Sequence, residues 1–414
     1  MDLELVTIGT ELLLGFTIDT NAAELARALA SVGARVVRRT TVGDEPQAIE
    51  DAVRAALGRA RFVITTGGLG PTRDDITKRV VAKIFNAPLE LDATYLEALR
   101  ERFQRLGRGP MPEANRSQAE VPRGATVLPN LWGTAPGLWM EGDPGTVVLL
   151  PGVPREMRGL LEHEVIPRLR QPVAAVIRSR TLRTTGIAES ALADRMGRLE
   201  DQLAPVTLAY LPSVEGVDLR VTAWGLPPAA ADEALTRAVE TLRPALGAHL
   251  YGEGDTDLAA VVLQHLERLG EKLAVAESCT GGLVGERITA IPGSSAVFVG
   301  GIVAYANELK VRELGVPEGL MAEHGAVSEP VVRAMAAGIA QRFGTGAALA
   351  VTGVAGPTGG TPDKPVGTVW LAANLRGEQQ AVRRQLLGGR DDIRRRAAQA
   401  ALDLLRGMAL RHQP

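Results

Sequence analysis

The sequence has few of the side chains on which many enzymes and metal proteins depend. Its 414 residues include one cysteine, Cys279, and five histidines, and only five of the 46 basic residues are lysines. A single cysteine excludes an intrachain disulfide framework and a cysteine-rich zinc site. Any catalysis must therefore use carboxylates, hydroxyls, backbone amides or one of the rare lysines.

The charge and the hydropathy of the chain exclude further classes of protein. The formal net charge is −2, the pI is near 6.3 and aromatic residues make up 3% of the chain, which argues against an electrostatic grip on nucleic acid and against base stacking. No stretch approaches the roughly 18 consecutive apolar residues of a membrane span, and the opening residues lack the pattern of a signal peptide. We therefore expect a cytoplasmic protein without a membrane or nucleic-acid partner.

Length and patterning predict three domains. At roughly 150 residues per domain, 414 residues correspond to about three. Residues 1–170 alternate strand-like and helix-like segments, which predicts a mostly parallel sheet with ligand chemistry at the carboxyl ends of its strands. Residues 171–252 have a small α+β pattern without a glycine-rich phosphate loop, and a second α/β rhythm occupies residues 253–414.

A glycine-rich run directly follows a buried strand in the first region. Residues 65–78 have the sequence TTGGLGPTRDDITK, whose three glycines let backbone amides approach an anion. Asp74 and Asp75 beside such an anion would be suitable ligands for a cation, although acidic residues also favour the first turn of any helix. The spacing matches neither a Walker A loop nor a dinucleotide fingerprint, so it implies neither ATP hydrolysis nor NAD binding.

Several ordered motifs give the first 170 residues a specific resemblance. They are GTELLLG at 9–15, DTN at 19–21, the glycine-rich run, NRSQA at 115–119, GTAPG at 133–137 and LPGVPREM at 150–157. Together they resemble the molybdopterin-binding, MoaB/MogA-like fold and, more specifically, the N-terminal domain of the CinA family of competence/damage-inducible proteins. The resemblance implies a metal-dependent pyrophosphatase that hydrolyses ADP-ribose to AMP and ribose 5-phosphate.

The resemblance and the chemistry of a diphosphate together predict the residues of this first site. A diphosphate needs anion donors, a cation that neutralises charge and a carboxylate that orients water. We expect Asp75 to be catalytic and to bind the metal, with Asp74 and Glu156 as secondary ligands or water-orienting groups, although Glu156 could equally be a solvated residue in the first turn of its helix. The implied cofactor is a divalent metal of the magnesium or cobalt type, with or without a monovalent cation. The predicted substrate contacts are Thr10, Glu11, Asp19, Asn21, Gly67, Gly68, Gly70, Pro71, Thr72, Lys78, Gly152 and Pro154.

A second candidate site begins where a strand runs into small hydroxyl residues and glycines. In the run AVAESCTGG at 274–282, the turn after the strand would expose Ser278 and direct amide N–H groups at one point, which suits a nucleophile or an anion. No histidine partner is evident nearby, whereas AYANELK at 304–310 supplies Tyr305 and Lys310. A desolvated lysine can act as a base at neutral pH and an arginine cannot. A lysine at this position of an arginine-rich chain therefore indicates a role in catalysis.

This second α/β region also resembles the CinA family. The motifs AESCTGG, AYANELK, VTGVAGP at 351–357 and KPVGTV at 364–369 are similar to those of the CinA C-terminal domain, and the match spans about 258–410. The resemblance implies a nicotinamide mononucleotide amidohydrolase, which forms nicotinic acid mononucleotide and ammonia. This half is expected to need no cofactor.

The same resemblance assigns roles to particular residues of the second site. It places the nucleophile on Ser278, proton handling on Tyr305 and Lys310, and catalytic support on Thr352. Cys279 is an alternative nucleophile. Its ordinary interpretation is a small buried residue beside the active serine. The amides around residues 280–282 would stabilise the tetrahedral oxyanion. The implied substrate contacts are Thr280, Gly281, Gly282, Ser295, Asn307, Gly353, Gly356 and Arg390.

The fold class implied for the whole chain is α/β in three parts. A molybdopterin-binding-like parallel-sheet domain is expected at 1–170, a small KH-like α+β domain at 171–252, and an α/β CinA deamidase domain at 253–414. Because relatives with this fold oligomerise, the resemblance also implies a homodimer.

Three functions remain open at the level of the sequence. The first is a nucleotide salvage enzyme with the two activities given above. The second is an N-terminal domain that binds a pterin or a nucleotide as a carrier without catalysis, since a fold does not define a function. The third is an accessory role in DNA uptake or repair, suggested by the competence name, although residues 171–252 lack the G-x-x-G loop with which KH domains clamp RNA.

Overall fold

The structure is a computed structural model that describes residues 1–105, 107, 109–169 and 175–412. The chain divides into two compact units, Met1–Arg178 with Ala223–Glu233, and Ser179–Thr222 with Ala234–Pro414. Within the described ranges, no helix is both long enough and apolar enough to cross a membrane.

Strands and helices alternate through the first region. The strands are β1 (Asp2–Ile8), β2 (Arg35–Val42), β3 (Phe62–Thr66), β4 (Leu89–Leu91), β5 (Glu120–Pro122), β6 (Thr126–Leu128), β7 (Gly137–Gly142) and β8 (Gly145–Leu150). The helices are α1 (Thr10–Leu13), α2 (Thr20–Ser31), α3 (Pro46–Ala60), α4 (Thr77–Ile84), α5 (Ala93–Arg105), α6 (Pro154–Leu160) and α7 (Ile166–Leu169). The strand-like run at 174–182, which predicts the first strand of the middle region, begins at a residue that lies outside the described ranges.

The main sheet of this region has the order β2-β1-β3-β8-β7-β6. The strands β2, β1, β3 and β8 are parallel, whereas β7 pairs antiparallel with β8, into which it turns tightly, and β6 pairs antiparallel with β7. The sheet is therefore mixed, and the prediction of a mostly parallel sheet holds for its four-stranded part. Both faces are covered, since Val6 and Ile8 of β1 enter one hydrophobic core and Leu3 and Leu5 enter the other. The carboxyl ends of β1, β3 and β8 consequently meet at one edge.

The middle region is a four-stranded sheet with two helices. Its strands are β9 (Val176–Thr184), β10 (Val206–Pro212), β11 (Val217–Leu226) and β12 (Leu250–Glu253), in the order β10-β11-β9-β12. Its helices are α8 (Glu189–Met196) and α9 (Pro228–Leu246). The predicted α+β pattern is thus present in the described part of this region.

The third region is a second α/β arrangement. Its strands are β13 (Leu273–Glu277), β14 (Phe298–Val303), β15 (Ala347–Gly353), β16 (Thr368–Leu375) and β17 (Glu378–Gln385). Its helices are α10 (Leu258–Leu269), α11 (Leu283–Thr289), α12 (Asn307–Leu314), α13 (Glu318–His324), α14 (Glu329–Phe343) and α15 (Arg390–Arg411).

The five strands of the third region have the order β14-β13-β15-β16-β17. The first three are parallel, β16 pairs antiparallel with β15 after a long connection, and β16 and β17 form an antiparallel hairpin. The central strand β13 is buried on both faces, with Leu273 and Val275 in one hydrophobic core and Ala274 and Ala276 in the other. Ser278 is the first residue beyond this strand, at the edge where parallel α/β sheets carry their sites.

Candidate active sites

The first candidate site is a pocket of about 360 Å³ at the carboxyl edge of the first sheet. It brings together the ends of β1 and β3, the turn after β8 and the loop before β7, although these segments are far apart in sequence. The predicted residues that line it are Glu11, Gly67, Gly68, Gly70, Pro71, Asp75, Gly152 and Glu156.

The glycine-rich run requires glycine for close backbone approach. Gly67 has φ +110°, and a Cβ there would lie 2.0 Å from the carbonyl oxygen of Ile8. Its N–H donates to Leu150 O at 3.0 Å, so this amide is already used within the chain. The prediction that all the amides of residues 67–70 bind an anion is therefore wrong for Gly67, and the amides of residues 68–70 are the candidates.

Two carboxylates of the pocket pack closely against glycine residues, where no side chain stands in the way. The Asp75 carboxylate accepts hydrogen bonds from Thr72 N at 2.8 Å and Thr72 Oγ1 at 2.6 Å, and it lies within 2.5 Å of where a Cβ on Gly70 would be. Glu156 occupies the space that a Cβ on Gly133 would fill. These glycines thus make room for acidic groups as well as for a ligand.

A divalent metal in this pocket would depend on acidic side chains as its ligands. Asp75 and Glu156 line it, whereas Asp74 is exposed and is not a lining residue. In the described ranges, no group of three or more His, Cys, Asp or Glu side chains is placed to hold a metal ion. Mg²⁺ is usually bound through one or two carboxylates together with substrate phosphates. The donor set therefore fits a hard cation shared with a diphosphate and does not fit a cage built by the protein alone.

Other residues predicted for the first site have structural contacts. Asp19 caps α2 by accepting from Ala22 N at 2.9 Å. Thr10 donates from its N–H and its hydroxyl to Asp44 at 2.8 and 2.9 Å. Pro154 is the first residue of α6. None of these three predicted contacts lines the pocket.

Two predicted polar residues are buried beside the pocket. Asn21 donates to Thr66 Oγ1 at 3.1 Å and to Gly152 O at 2.8 Å, which ties the end of β3 to the turn after β8. Its Oδ1 is buried without a partner in the described residues. Lys78 donates to Ser117 O, and burial lowers its pKa to about 8.

Sequence reasoning missed three polar residues of this site. Asp44 and Gln118 line the pocket, and Asn130 donates to the Glu156 carboxylate. Asn130 Oδ1 also accepts from the N–H groups of Trp132 and Gly133, both at 2.9 Å, which shapes the loop before β7. The NRSQA motif pointed to Gln118, whereas no local signal marks the other two because their partners are distant in sequence.

The second candidate site is built around Ser278. Its N–H donates to Val351 O at 2.9 Å, which continues the parallel ladder between β13 and β15 by one residue. The side chain is 8% exposed, at the mouth of a tight turn. The neighbouring Thr352 is buried, and its hydroxyl donates to Ala326 O at 2.9 Å. Thr352 is thus next to Ser278 with its hydroxyl directed at the backbone.

Lys310 is one of the largest fully buried side chains of the chain, at 1% exposed. Its Nζ donates to Ala304 O at 2.8 Å and to Tyr305 O at 3.0 Å. Burial lowers the pKa of this lysine, because desolvation disfavours the ammonium form. A neutral amine has two N–H donors and one lone pair, so these two carbonyls would satisfy both donors and leave the lone pair free.

Glu277 is a buried carboxylate that the sequence did not single out. It is 2% exposed and accepts hydrogen bonds from Gly282 N, Val284 N and Gly285 N at 2.8–3.1 Å. It therefore caps α11 and closes the turn that holds Ser278. Gly282 N is consequently unavailable to an oxyanion, and Gly281 N already donates to Ser278 O at 3.1 Å. The predicted oxyanion site at residues 280–282 is wrong for these two amides.

Arginines from α15 connect the loops around Ser278. Arg390 donates to Gly356 O at 2.6 Å and to the Tyr305 hydroxyl at 3.0 Å. Arg394 donates to Thr280 O at 3.0 Å. The predicted residues Tyr305, Gly356 and Arg390 therefore belong to one cluster, whereas Arg394 was missed because it belongs to a helical run of similar arginines.

The remaining predicted residues of the second site differ in position. Asn307 begins α12 and is exposed, and Gly353 ends β15 where a Cβ would lie 2.7 Å from Val369. Ser295 lies in a short 3₁₀ turn before β14, at the amino end of the parallel strands. The structure does not bring Ser295 to the edge at which Ser278 lies. Burial raises the pKa of the Cys279 thiol to about 12, which keeps it protonated at neutral pH.

The fold and both sites define a class of protein, an α/β chain with two separate strand-edge sites joined by a small α+β region. Three family models match it in order: a probable molybdopterin binding domain at residues 4–171, the damage-inducible protein CinA KH domain at 179–252 and the CinA C-terminal domain at 255–409. The KH-like middle region and the mixed α/β fold class are thereby confirmed.

Whole-length relatives give the family. A CinA-like protein of Gemmatimonas aurantiaca is 58% identical over 98% of this chain and 96% of its own length, and one of Dictyoglomus thermophilum is 43% identical over 98% of both. The chain belongs to the CinA-like family. Among solved structures, competence damage-inducible protein A of Klebsiella pneumoniae is 36% identical over 38% of this chain and 97% of its own, with a TM-score of 0.37.

Proposed function

We propose that the chain hydrolyses two nucleotides at two sites. The C-terminal site deamidates nicotinamide mononucleotide to nicotinic acid mononucleotide and ammonia, and the N-terminal site hydrolyses ADP-ribose to AMP and ribose 5-phosphate. The observation that carries the proposal is Lys310, a buried lysine with a lowered pKa whose Nζ lies between two carbonyls close to the Ser278 turn. The proposal places both reactions in the cytoplasm.

In the deamidation, Ser278 Oγ attacks the carboxamide carbon. Neutral Lys310 accepts the hydroxyl proton, directly or through one water, because catalytic hydrogen bonds often close only when substrate is bound. The tetrahedral intermediate then expels ammonia, which takes the proton back from Lys310. Water hydrolyses the resulting seryl ester to the acid. Arg390 and Arg394 provide positive charge on the side where a phosphate ester would bind.

Ser278→Ala tests this half. We expect ammonia release to fall by about 10⁴-fold, because removing an activated nucleophile leaves only binding and electrostatic stabilisation. Ser294→Ala, in the turn at the amino end of β14, is the matched control and should keep full activity. Unchanged ammonia release in Ser278→Ala would remove this serine from the mechanism.

In the diphosphate reaction, the amides of residues 68–70 and the glycine-rich turn would bind phosphate oxygens. A divalent cation, when bound, would neutralise the charge of the diphosphate, and Asp75 and Glu156 are the residues that would hold it. Asn130 fixes the Glu156 carboxylate through a hydrogen bond. Lys78 supplies a cation beneath the same turn when it is protonated.

Asp75→Asn and Asp74→Asn form a matched pair for this half. They differ by one residue along the chain, and only Asp75 lines the pocket. We expect AMP formation from ADP-ribose to fall by roughly 10²-fold in Asp75→Asn and to stay within about threefold in Asp74→Asn. Equal losses in both variants would contradict the placement of the site.

The carrier function remains a second candidate for the N-terminal domain. It is kept because the glycine-rich turn in the pocket would bind a phosphate with or without hydrolysis. The two candidates are separated by product, since a carrier binds AMP or a pterin and releases no ribose 5-phosphate. Incubation with ADP-ribose and divalent metal, followed by chromatography, decides between them.

The expected partners remain predictions. A homodimer follows from the family resemblance, and mass measurement in solution tests it. A nucleic-acid role is disfavoured by the net charge of −2 and by the missing G-x-x-G loop in residues 171–252. A gel shift that weakens with salt would reinstate it.

A further inference from the structure

A groove of about 770 Å³ lies within the second unit, away from Ser278, and no part of the proposed chemistry uses it. One wall is a face of β17, another is a face of α15, and the loops at 185–189 and 212–217 of the middle region close it. We call it the α15 groove. Its volume is in the range of small-molecule sites, which are about 300–1,000 Å³.

The two long walls, β17 and α15, run in opposite directions along the chain. Their directions therefore decide which residues lie at the same end of the groove. The chain reverses at residues 386–389, and Arg411 at the far end of α15 donates to Glu378 and Gln380 at the start of β17. From Arg396 to Arg411 the helix rises about 22 Å, and six residues of strand span about 20 Å. Arg396 of the helix is therefore at the same end of the groove as Arg384 of the strand.

These two arginines have charge that the chain does not neutralise. Within the described residues, the Arg396 side chain has no hydrogen bond or ion pair, and the contact of the Arg384 guanidinium is a 3.5 Å approach to Arg383 O. Arg411, by comparison, is 3.0 Å from the Glu378 carboxylate. A pair of unengaged guanidiniums at one end of a groove is suited to a phosphate group, which arginine binds through two parallel N–H donors.

The middle of the groove is apolar. Val382 of the strand and Ala400 and Leu404 of the helix line it between the two ends. The loop at 185–189 adds Ile187 and ends on Glu189, an exposed carboxylate that can accept hydrogen bonds from hydroxyl groups. The groove thus has two arginines at one end, an apolar floor and an acceptor on the loop. Its other lining carboxylates, Glu215 and Asp403, pair with Arg395 and Arg406.

We propose that the α15 groove binds a nucleoside phosphate, with the phosphate on Arg384 and Arg396 and the base on the apolar floor. This site is separate from both proposed reactions and does not rest on them. It would place a nucleotide between the KH-like region and the helix whose Arg390 and Arg394 reach the Ser278 loops.

The test uses AMP as the probe, the full-length chain, and hydrogen–deuterium exchange to locate binding. We expect AMP to slow amide exchange at 185–189 and 378–386. In the double variant Arg384→Ala/Arg396→Ala, the AMP concentration needed for half-maximal protection should rise by about tenfold per arginine. Arg383→Ala is the matched control, because Arg383 is on the opposite face of β17 and donates to Asp363 O. AMP bound in the N-terminal pocket would slow exchange in other segments. Exchange at the groove therefore tests this proposal even if the reaction proposed for the N-terminal site is wrong.

Several outcomes would overturn the proposal. They are no protection of the groove in the unmodified chain, equal protection in the double variant, and equal protection by inorganic phosphate at the same concentration. Protection by a short RNA but not by AMP would assign the groove to nucleic acid instead. A change in oligomeric mass in the double variant, without AMP protection in the unmodified chain, would identify a contact between copies.

Discussion

The two candidate sites lie at equivalent edges of parallel sheets, yet the charge around them is opposite. The first pocket is lined by the carboxylates of Glu11, Asp44, Asp75 and Glu156. Around Ser278, by contrast, basic side chains contact the loops: the arginines Arg390 and Arg394, and the buried amine of Lys310. The carboxylate nearest the serine, Glu277, is engaged by three amide N–H groups.

This difference explains why one site is proposed to need a cation and the other none. An anionic substrate that approaches several carboxylates is repelled unless a positive ion is shared between them. A phosphate ester that approaches two guanidiniums is attracted without help. The same strand-edge position in two α/β domains therefore supports different chemistry through the side chains placed on its loops.

After Ser278→Ala, Lys310→Arg is expected to have the largest effect on the second site alone. Arginine stays protonated at all accessible pH values, so the neutral amine that acts as the base is lost, and kcat/KM for ammonia release should fall by about 10³-fold. AMP formation should be unchanged. Lys272→Arg, at an exposed position, is the control for the substitution.

The unmodified chain supplies a second readout for Lys310. Because the neutral amine is the active form and burial lowers its pKa, kcat/KM should rise with pH and level off below the usual lysine range. A rate that is flat from pH 6 to pH 9 in steady-state assays would contradict the role of this base.

Glu277→Gln is expected to have the next largest effect. The substitution replaces an oxygen that accepts backbone N–H groups with an NH₂ group, so the turn at Ser278 shifts and kcat falls by about 10²-fold, at a stability cost of about 2 kcal/mol. KM should change little, because the Glu277 carboxylate is buried and engaged by backbone N–H groups. Glu286→Gln, at an exposed position of α11, the helix that Glu277 caps, should have no effect on kcat, and a similar loss there would indicate damage to α11 in general.

Lys78→Met tests the lowered pKa of Lys78 in the first site, because that pKa makes the free energy of unfolding depend on pH. Lys78 has a pKa of about 8 in the folded chain and about 10.4 when unfolded. Between these values the unfolded chain retains a proton that the folded chain has lost, so the free energy of unfolding rises with pH, by up to about 3 kcal/mol. The variant should lose this rise and be more stable by about 1–2 kcal/mol at pH 7, since the hydrogen bond to Ser117 O is also lost.

The measurement is urea unfolding of the full-length chain at pH 7 and pH 10. Lys83→Met is the control, because Lys83 is exposed on the same helix and pairs with Glu50. If Lys78→Met and Lys83→Met have the same pH dependence as the unmodified chain, Lys78 is not the group that titrates. We also expect AMP formation to fall in Lys78→Met, since the cation beneath the phosphate turn is removed.

The sequence predicted the main elements because apolar periodicity and glycine ends are local signals. The apolar run at 62–66 predicts a buried strand and the apolar spacing at 258–269 predicts an amphipathic helix, and the structure has β3 and α10 with these bounds. The strands β4 to β7 were not predicted, because β4, β5 and β6 have three residues each and β7 and β8 are joined at Gly142 and Gly145. Their pairing depends on residues that are distant in the sequence.

The sites were predicted less completely, for the same physical reason. A glycine-rich turn indicates that amides are exposed locally, but Gly67 N and Gly282 N are used by Leu150 O and by Glu277. The register that brings Leu150 beside Gly67 is a tertiary property. Similarly, Ser295 is close to Ser278 in sequence, yet it lies at the other end of the parallel strands. The direction of the strands therefore separates residues that are close together in the sequence.

The smallest expected effect concerns Cys279, the neighbour of the proposed nucleophile. Its thiol is 6% exposed, and burial raises its pKa to about 12, so the thiolate that would be reactive is almost absent at neutral pH. We expect Cys279→Ala to leave kcat for ammonia release within about twofold and to cost roughly 1 kcal/mol of stability. Iodoacetamide should react with the folded chain far more slowly than with the urea-unfolded chain. A loss of ammonia release as large as in Ser278→Ala would transfer the nucleophile to the thiol and would remove the need for Lys310 as the base that activates the serine hydroxyl.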